Sequence, residues 1–213
     1  MKKITFLFCF LLLSGVLLAQ KKQSKLISEL DDNTEAYGEI AYKIWSFAEM
    51  GYQEEQSVAL LQETLKEEDF TVEAGVAGMP TAFIASYGSG KPVIAVLGEY
   101  DALPGLSQKA VAHKESNGGV AGHACGHHLF GTASTAAAIT IKKYLEETGK
   151  SGTIRFYGCP AEEGGSGKVY LTRAGLFNDV DAVINWHPGN ANGADPGAAL
   201  ANKSAKFRFH GIA

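Results

Sequence analysis

Long apolar runs, clustered basic residues and cysteine are all scarce in this chain of 213 residues. One apolar run stands out, residues 4–18, and it is shorter than the roughly 20 residues a spanning helix needs. There are 19 Lys and Arg against 23 Asp and Glu, a net charge of −4, with no run of five basic residues. That balance points away from a nucleic-acid or anionic-membrane surface. Internal repeats and low-complexity tracts are also missing. With 46% hydrophobic and 20% charged residues, the composition excludes a disordered, collagenous or multi-span membrane chain.

The short run has its own reading. Met1-Lys2-Lys3 precedes it and Leu17-Leu18-Ala19 follows it, the order of a secretory leader, so residues 1–19 are expected to be a signal peptide and the protein to be exported. An uncleaved membrane anchor is the alternative. Of the three cysteines, Cys9 lies inside the leader, which leaves Cys125 and Cys159. Two cysteines are too few for a disulfide scaffold. Either they pair with each other, or at least one is kept for chemistry.

Apolar periodicity predicts helices over residues 25–49 (Leu26, Leu30, Tyr37, Ile40, Ile44, Phe47) and 54–68 (Val58, Leu61, Leu65). Strands are expected at 70–73, 81–87 and 93–97, with a Gly88-Ser89-Gly90 turn between the last two. Residues 93–97 are apolar throughout, as in a strand buried on both faces. A long loop over 99–122 is a functional suspect. A helix at 126–147, a strand at 153–157, a helix at 168–173 and a strand at 182–186 complete the pattern. Such alternation predicts an α/β fold, a layered sheet with flanking helices.

Chemistry-bearing residues collect where the predicted strands end, which is where open α/β sheets build ligand sites. Gly122-His123-Ala124-Cys125-Gly126-His127-His128 offers thiolate and imidazole, both good ligands for zinc and similar metals. Cys159-Pro160-Ala161-Glu162-Glu163-Gly164-Gly165 offers two adjacent carboxylates that can divide the work of metal ligand and general base. Trp186-His187-Pro188 supplies a further imidazole. Each has an ordinary reading taken singly: an incidental Cys-x-His pair, a solvated charge pair, a hydrogen-bonded loop histidine. A nucleophilic Cys125 served by His127 is the rival chemistry. All three segments on successive strand ends of one sheet favour a metal site.

These segments, together with Glu99-Tyr100-Asp101-Ala102-Leu103-Pro104-Gly105, resemble the metal-dependent amidohydrolase and carboxypeptidase family of aminoacylases and auxin-conjugate hydrolases. Gly-Glu-Tyr-Asp-Ala-Leu-Pro and Trp-His-Pro are most similar to its aminobenzoyl-glutamate hydrolase branch. The resemblance implies a zinc-exopeptidase-like catalytic domain holding two divalent ions, zinc or manganese. Its substrate would be a small amide or peptide, with an acyl or aryl group joined to an amino acid. Residue by residue, Cys125, His127, Glu163 and His187 resemble the metal ligands, Glu162 the general base and Asp101 a carboxylate orienting a ligand. Glu99, His123 and His128 flank the site as further candidates, the two histidines with structural roles preferred.

The family pattern continues with an inserted α+β lid or dimerisation domain. Residues 20–200 then read as the N-terminal part of the catalytic domain and 201–213 as the first strand of the insert. On that expectation this stretch alone is inactive and the full-length protein is a homodimer, with no nucleic-acid partner and no membrane contact after leader removal. An N-acyl amino acid deacylase or dipeptidase of the same family, and a non-catalytic metal-binding α/β module, are the alternatives. Glu162 separates the last of these, since a purely metal-binding site has no use for a base.

Overall fold

A computed structural model describes residues 25–194 and 205–211. Five strands form its central sheet: β1 (Thr71–Ala74), β2 (Phe83–Ser89), β3 (Val93–Gly98), β6 (Gly152–Gly158) and β7 (Ala182–Ile184). Two short ones, β4 (Leu103–Pro104) and β5 (Ala121–Gly122), make a separate ladder. The order across the central sheet is β1-β2-β6-β3-β7. β2 runs antiparallel to β1 and β6, whereas β6, β3 and β7 are mutually parallel. The expected leader at 1–19 lies outside the described residues.

Helices cover both faces. α1 (residues 25–32) and α2 (Thr34–Phe47) occupy the stretch expected as one helix. The break falls at Asn33, whose side-chain amide donates to the Glu29 carbonyl and competes with the helical ladder. α3 (Glu55–Glu67) buries Val58, Leu61 and Leu65. Its first amides would be orphaned, but the Glu49 carboxylate accepts from Gln56 N and Ser57 N at 2.9 Å each, an anion at a helix N-terminus. α4 (His127–Thr148) packs small residues, among them Ser134, Thr135 and Ala138, against α2 and the sheet. A tight turn, α5 (Glu162–Gly165), leads into α6 (Gly167–Arg173).

Period-two alternation splits the core between the faces. Phe83, Ala85, Val96, Ile154 and Phe156 meet Ile44, Leu61, Leu65 and Ile139 on one side; Ile84, Ala95, Leu97, Tyr157 and Cys159 meet Val76, Met79 and Leu171 on the other. Burying each such large side chain contributes about 1.5–3 kcal/mol. β3 is apolar because it sits between two strands and two helical layers.

Three expectations are corrected. β2 continues through Gly88 and Ser89, which pair with Thr153 and Gly152, so the turn falls at 90–92; a long partner strand overrides local turn propensity. The strand expected at 182–186 stops at Ile184. Residues 205–211, expected within a strand, are exposed and carry none, for a strand needs a ladder partner; residues 201–204 lie outside the described ones. Among the described residues no helix is long and apolar enough to cross a membrane.

Candidate metal centre

The three mutually parallel strands end on one edge of the sheet, and each delivers site residues there. Glu99 follows β3, Cys159-Pro160-Ala161-Glu162 follows β6, and His187 comes shortly after β7. Cys125 and His127 come from the start of α4. Gly126 between them has φ +88°, and a Cβ there would lie 2.9 Å from Pro188, so only glycine lets the helix start approach the β7 loop so closely.

His127 is the hub. It is fully buried, with Nδ1 2.8 Å from Asp101 Oδ1 and 3.1 Å from the Asp101 carbonyl. Both partners are acceptors, so Nδ1 carries a proton and donates it. Nε2 then faces the site, 2.8 Å from Glu99 Oε2 and 3.7 Å from Glu162 Oε2. Burial disfavours a charged imidazole here, but Asp101 and Glu99 overcome it and carry the pKa of His127 up to about 10. Burial likewise pushes Glu99 upward, while His127 and Lys168 hold its carboxyl below the usual range. Lys168 pairs with Glu99 Oε1.

Two donor triplets share His127: Cys125, His127 and His187, and Glu99, His127 and Glu162, each with its ligand atoms within 4.8 Å of one another. In the first, Cys125 Sγ lies 3.3 Å from His187 Nε2, and His187 Nδ1 donates to the Pro188 carbonyl, which leaves Nε2 free to ligate. Glu163 belongs to neither triplet. Its backbone N–H donates to Asp101 Oδ2 at 2.8 Å and its side chain lies against Cys125.

Three buried polar atoms in this space lack a hydrogen-bond partner: His127 Nε2, Glu99 Oε2 and Glu163 Oε1. The 2.8 Å between the first two is not directed as a hydrogen bond. Buried polar atoms are seldom left so, and His127 Nε2 and Glu99 Oε2 share a triplet in which one cation could meet both. Thiolate, imidazole and carboxylate together suit zinc and similar divalent ions, so the residues present fit a metal.

The rival chemistry is not supported. The imidazole within hydrogen-bond distance of Cys125 is that of His187, not His127. Burial and then Glu163 push the Cys125 thiol up to about 11, the reverse of what a nucleophilic cysteine requires. Among the described residues both cysteines are free, and Cys159 is fully buried with its thiol donating to the Tyr157 carbonyl.

His123 and His128 lie with ring centroids 5.0 Å apart, tilted at 52°, and join neither triplet. His123 Nε2 donates to the Ile44 carbonyl; burial and then His128 bring its pKa down to about 4. Burial and then His127 do the same for His128. Lys168 and Glu54 carry no signal in the sequence, each being the first residue of a stretch whose periodicity predicts only a helix.

An α/β sheet with carboxylate and imidazole donors after its parallel strands, and a thiol and a second imidazole at the start of α4, defines the class: an α/β domain with a candidate metal centre. The chain belongs to the peptidase family M20/M25/M40, whose model matches residues 95–208, from β3 past His187. It is 51% identical over 190 residues to a subunit of the p-aminobenzoyl-glutamate hydrolase of Escherichia coli (strain K12), covering 86% of this chain and 40% of that protein. It is 32% identical over 177 residues to the Xaa-Arg dipeptidase of Mus musculus, covering 78% of this chain and 38% of that one. A dinuclear metal binding peptidase from the M20 family of Bacillus subtilis superposes with a TM-score of 0.64 at 25% identity, over 73% of this chain and 43% of that one. The chain thus spans about two fifths of the length of these relatives.

Proposed function

We propose that this chain carries the metal-binding part of an amidohydrolase that cuts the amide between an acyl or aryl group and an amino acid, with p-aminobenzoyl-glutamate as the model substrate. The observation that carries the reading is His127, its Nδ1 proton committed to Asp101 and its Nε2 buried without a hydrogen bond among four further donors. Cys125, His127, Glu163 and His187 would hold two divalent ions, zinc or manganese, with Glu99 alongside. A bound divalent ion polarises the scissile carbonyl and lowers the pKa of water to about 7. Glu162, half exposed at the mouth of the site, takes the proton of the attacking water on its carboxylate and returns it to the leaving nitrogen. Asp101 keeps the His127 ring turned and its tautomer fixed.

Export rests on residues 1–19, and self-association as a homodimer on the family resemblance. The E. coli relative is one subunit of its enzyme, which makes a hetero-complex the competing outcome in a sizing experiment. The test of function is a panel of p-aminobenzoyl-glutamate, N-acyl amino acids and dipeptides, with zinc or manganese, on protein expressed from the full reading frame. Metal-dependent release of glutamate from the first supports the reading. Preference for dipeptides shifts the substrate toward that of the mouse relative, and failure to bind metal overturns the proposal.

A further inference from the structure

Glu54 is a buried carboxylate with no cation in ion-pair distance among the described residues. Its Oε1 accepts the Ala161 backbone N–H at 2.8 Å, and its Oε2 accepts the Thr81 hydroxyl at 2.8 Å. Ala161 is the residue just before Glu162, and it sits in the left-handed region at φ 53°, ψ 44°. A non-glycine residue is strained in that conformation and keeps it only where the surroundings over-determine it.

The surroundings are the turn that carries Glu54. A Cβ on Gly51 would meet Ala161 Cα and Cβ at 2.9 Å, so the two backbones are pressed together. Tyr52 donates its hydroxyl to the Gly165 carbonyl at 2.6 Å, closing the far side of the same loop. The Glu49 carbonyl in that turn also accepts the Ala102 N–H at 2.7 Å, one residue after Asp101. Residues 49–54 therefore grip the two segments that supply Asp101 and Glu162-Glu163.

We infer that Glu54 is a positioning residue, whose carboxylate holds Ala161 in the left-handed conformation that turns Glu162 toward His127 and brings the Glu163 N–H to Asp101. The inference rests on the metal-centre reading for its consequence, though not for its geometry. A buried anion is a costly way to satisfy one amide and one hydroxyl. Its use here is that a carboxylate binds an N–H more strongly than a neutral acceptor does, which suits a bond that must hold a strained backbone. Without it, Ala161 relaxes, and the Glu163 N–H, now held by Asp101, loosens with it.

The test compares the original chain with Glu54→Ala, Glu54→Gln, and Glu54→Ala combined with Ala161→Gly. Hydrogen exchange at residues 161–165 in metal-free protein and zinc affinity by titration with the metal alone are both read where circular dichroism shows the chain folded. Glu54→Ala should raise exchange at Glu163 and weaken zinc binding by about 10–100-fold, the cost of losing an orienting partner. Glu54→Gln keeps an acceptor without the charge and should fall between the original and Glu54→Ala. Ala161→Gly should restore much of the loss, since glycine adopts the left-handed region freely. If Glu54→Ala does not fold, Glu54→Asp, one methylene too short for Ala161, should show the same loosening. Unchanged Glu163 exchange and zinc affinity in a folded variant would overturn the inference. An original chain that binds no zinc counts instead against the metal reading, and the exchange data then decide the positioning role alone.

Discussion

Asp101 Oδ1 stands 2.8 Å from His127 Nδ1, and the same carboxylate's Oδ2 accepts the Glu163 amide at 2.8 Å. One fully buried side chain thus orients the His127 ring of α4 and the backbone of the loop after β6. Neither oxygen can be replaced by a donor without facing an N–H.

Asp101→Asn makes that replacement at one oxygen. Either the His127 ring or the Glu163 amide then meets an amide NH2. Zinc affinity should fall by about 10–100-fold with the secondary structure retained. Calorimetric titration checks it, and an unchanged affinity would mean that His127 is not a ligand.

Glu162 and Glu163 are neighbours with separable roles. Glu162→Gln in the full-length protein should keep its metal and lose about 10²–10⁴ in turnover, the usual contribution of a general base. Glu163→Gln should lose metal. Elemental analysis beside the rate assay separates them, and near-normal turnover in Glu162→Gln would sink the assignment.

The two thiols should behave differently. Cys125 borders the site and Cys159 is wholly buried. Burial pushes the Cys159 thiol up to about 12, so it stays protonated and inert. Of Cys125 and Cys159, a thiol reagent should label only Cys125 in the metal-free folded chain and neither with zinc bound. Mass spectrometry counts the adducts at these two positions; two adducts, or a disulfide in the oxidised metal-free chain, would contradict this arrangement.

Burial raises the carboxyl of Glu54 above its ordinary value of 4.5, and its hydrogen bonds offset this only in part. The folded pKa exceeds the unfolded one. The contribution of this group to stability is therefore fully present below pH 4.5 and is lost as pH rises through the folded value. Glu54→Gln does not titrate. Its melting temperature relative to the original chain should improve from pH 4.5 to pH 7; a constant difference would show that Glu54 has an ordinary pKa.

Residue order alone establishes the layered α/β class and points to the segments proposed here to carry chemistry. Periodicity marks β3 as doubly buried, and Cys125, His127, Glu162, Glu163 and His187 announce themselves because such residue types fall where apolar runs stop. Local pattern reports which way a side chain faces, not what it meets. Glu54 reaches Ala161 across 107 residues of sequence and Lys168 reaches Glu99 across 69. Nothing near Glu54 in the sequence distinguishes it from a solvated glutamate. Likewise, only the length of β6 carries β2 through Gly88 and Ser89, and only the adjacent ends of β3, β6 and β7 bring Glu99 and Glu162 to His127. Such features belong to the folded chain, because burial, strand pairing and the removal of water from polar atoms are properties of segments that meet only once folding is complete.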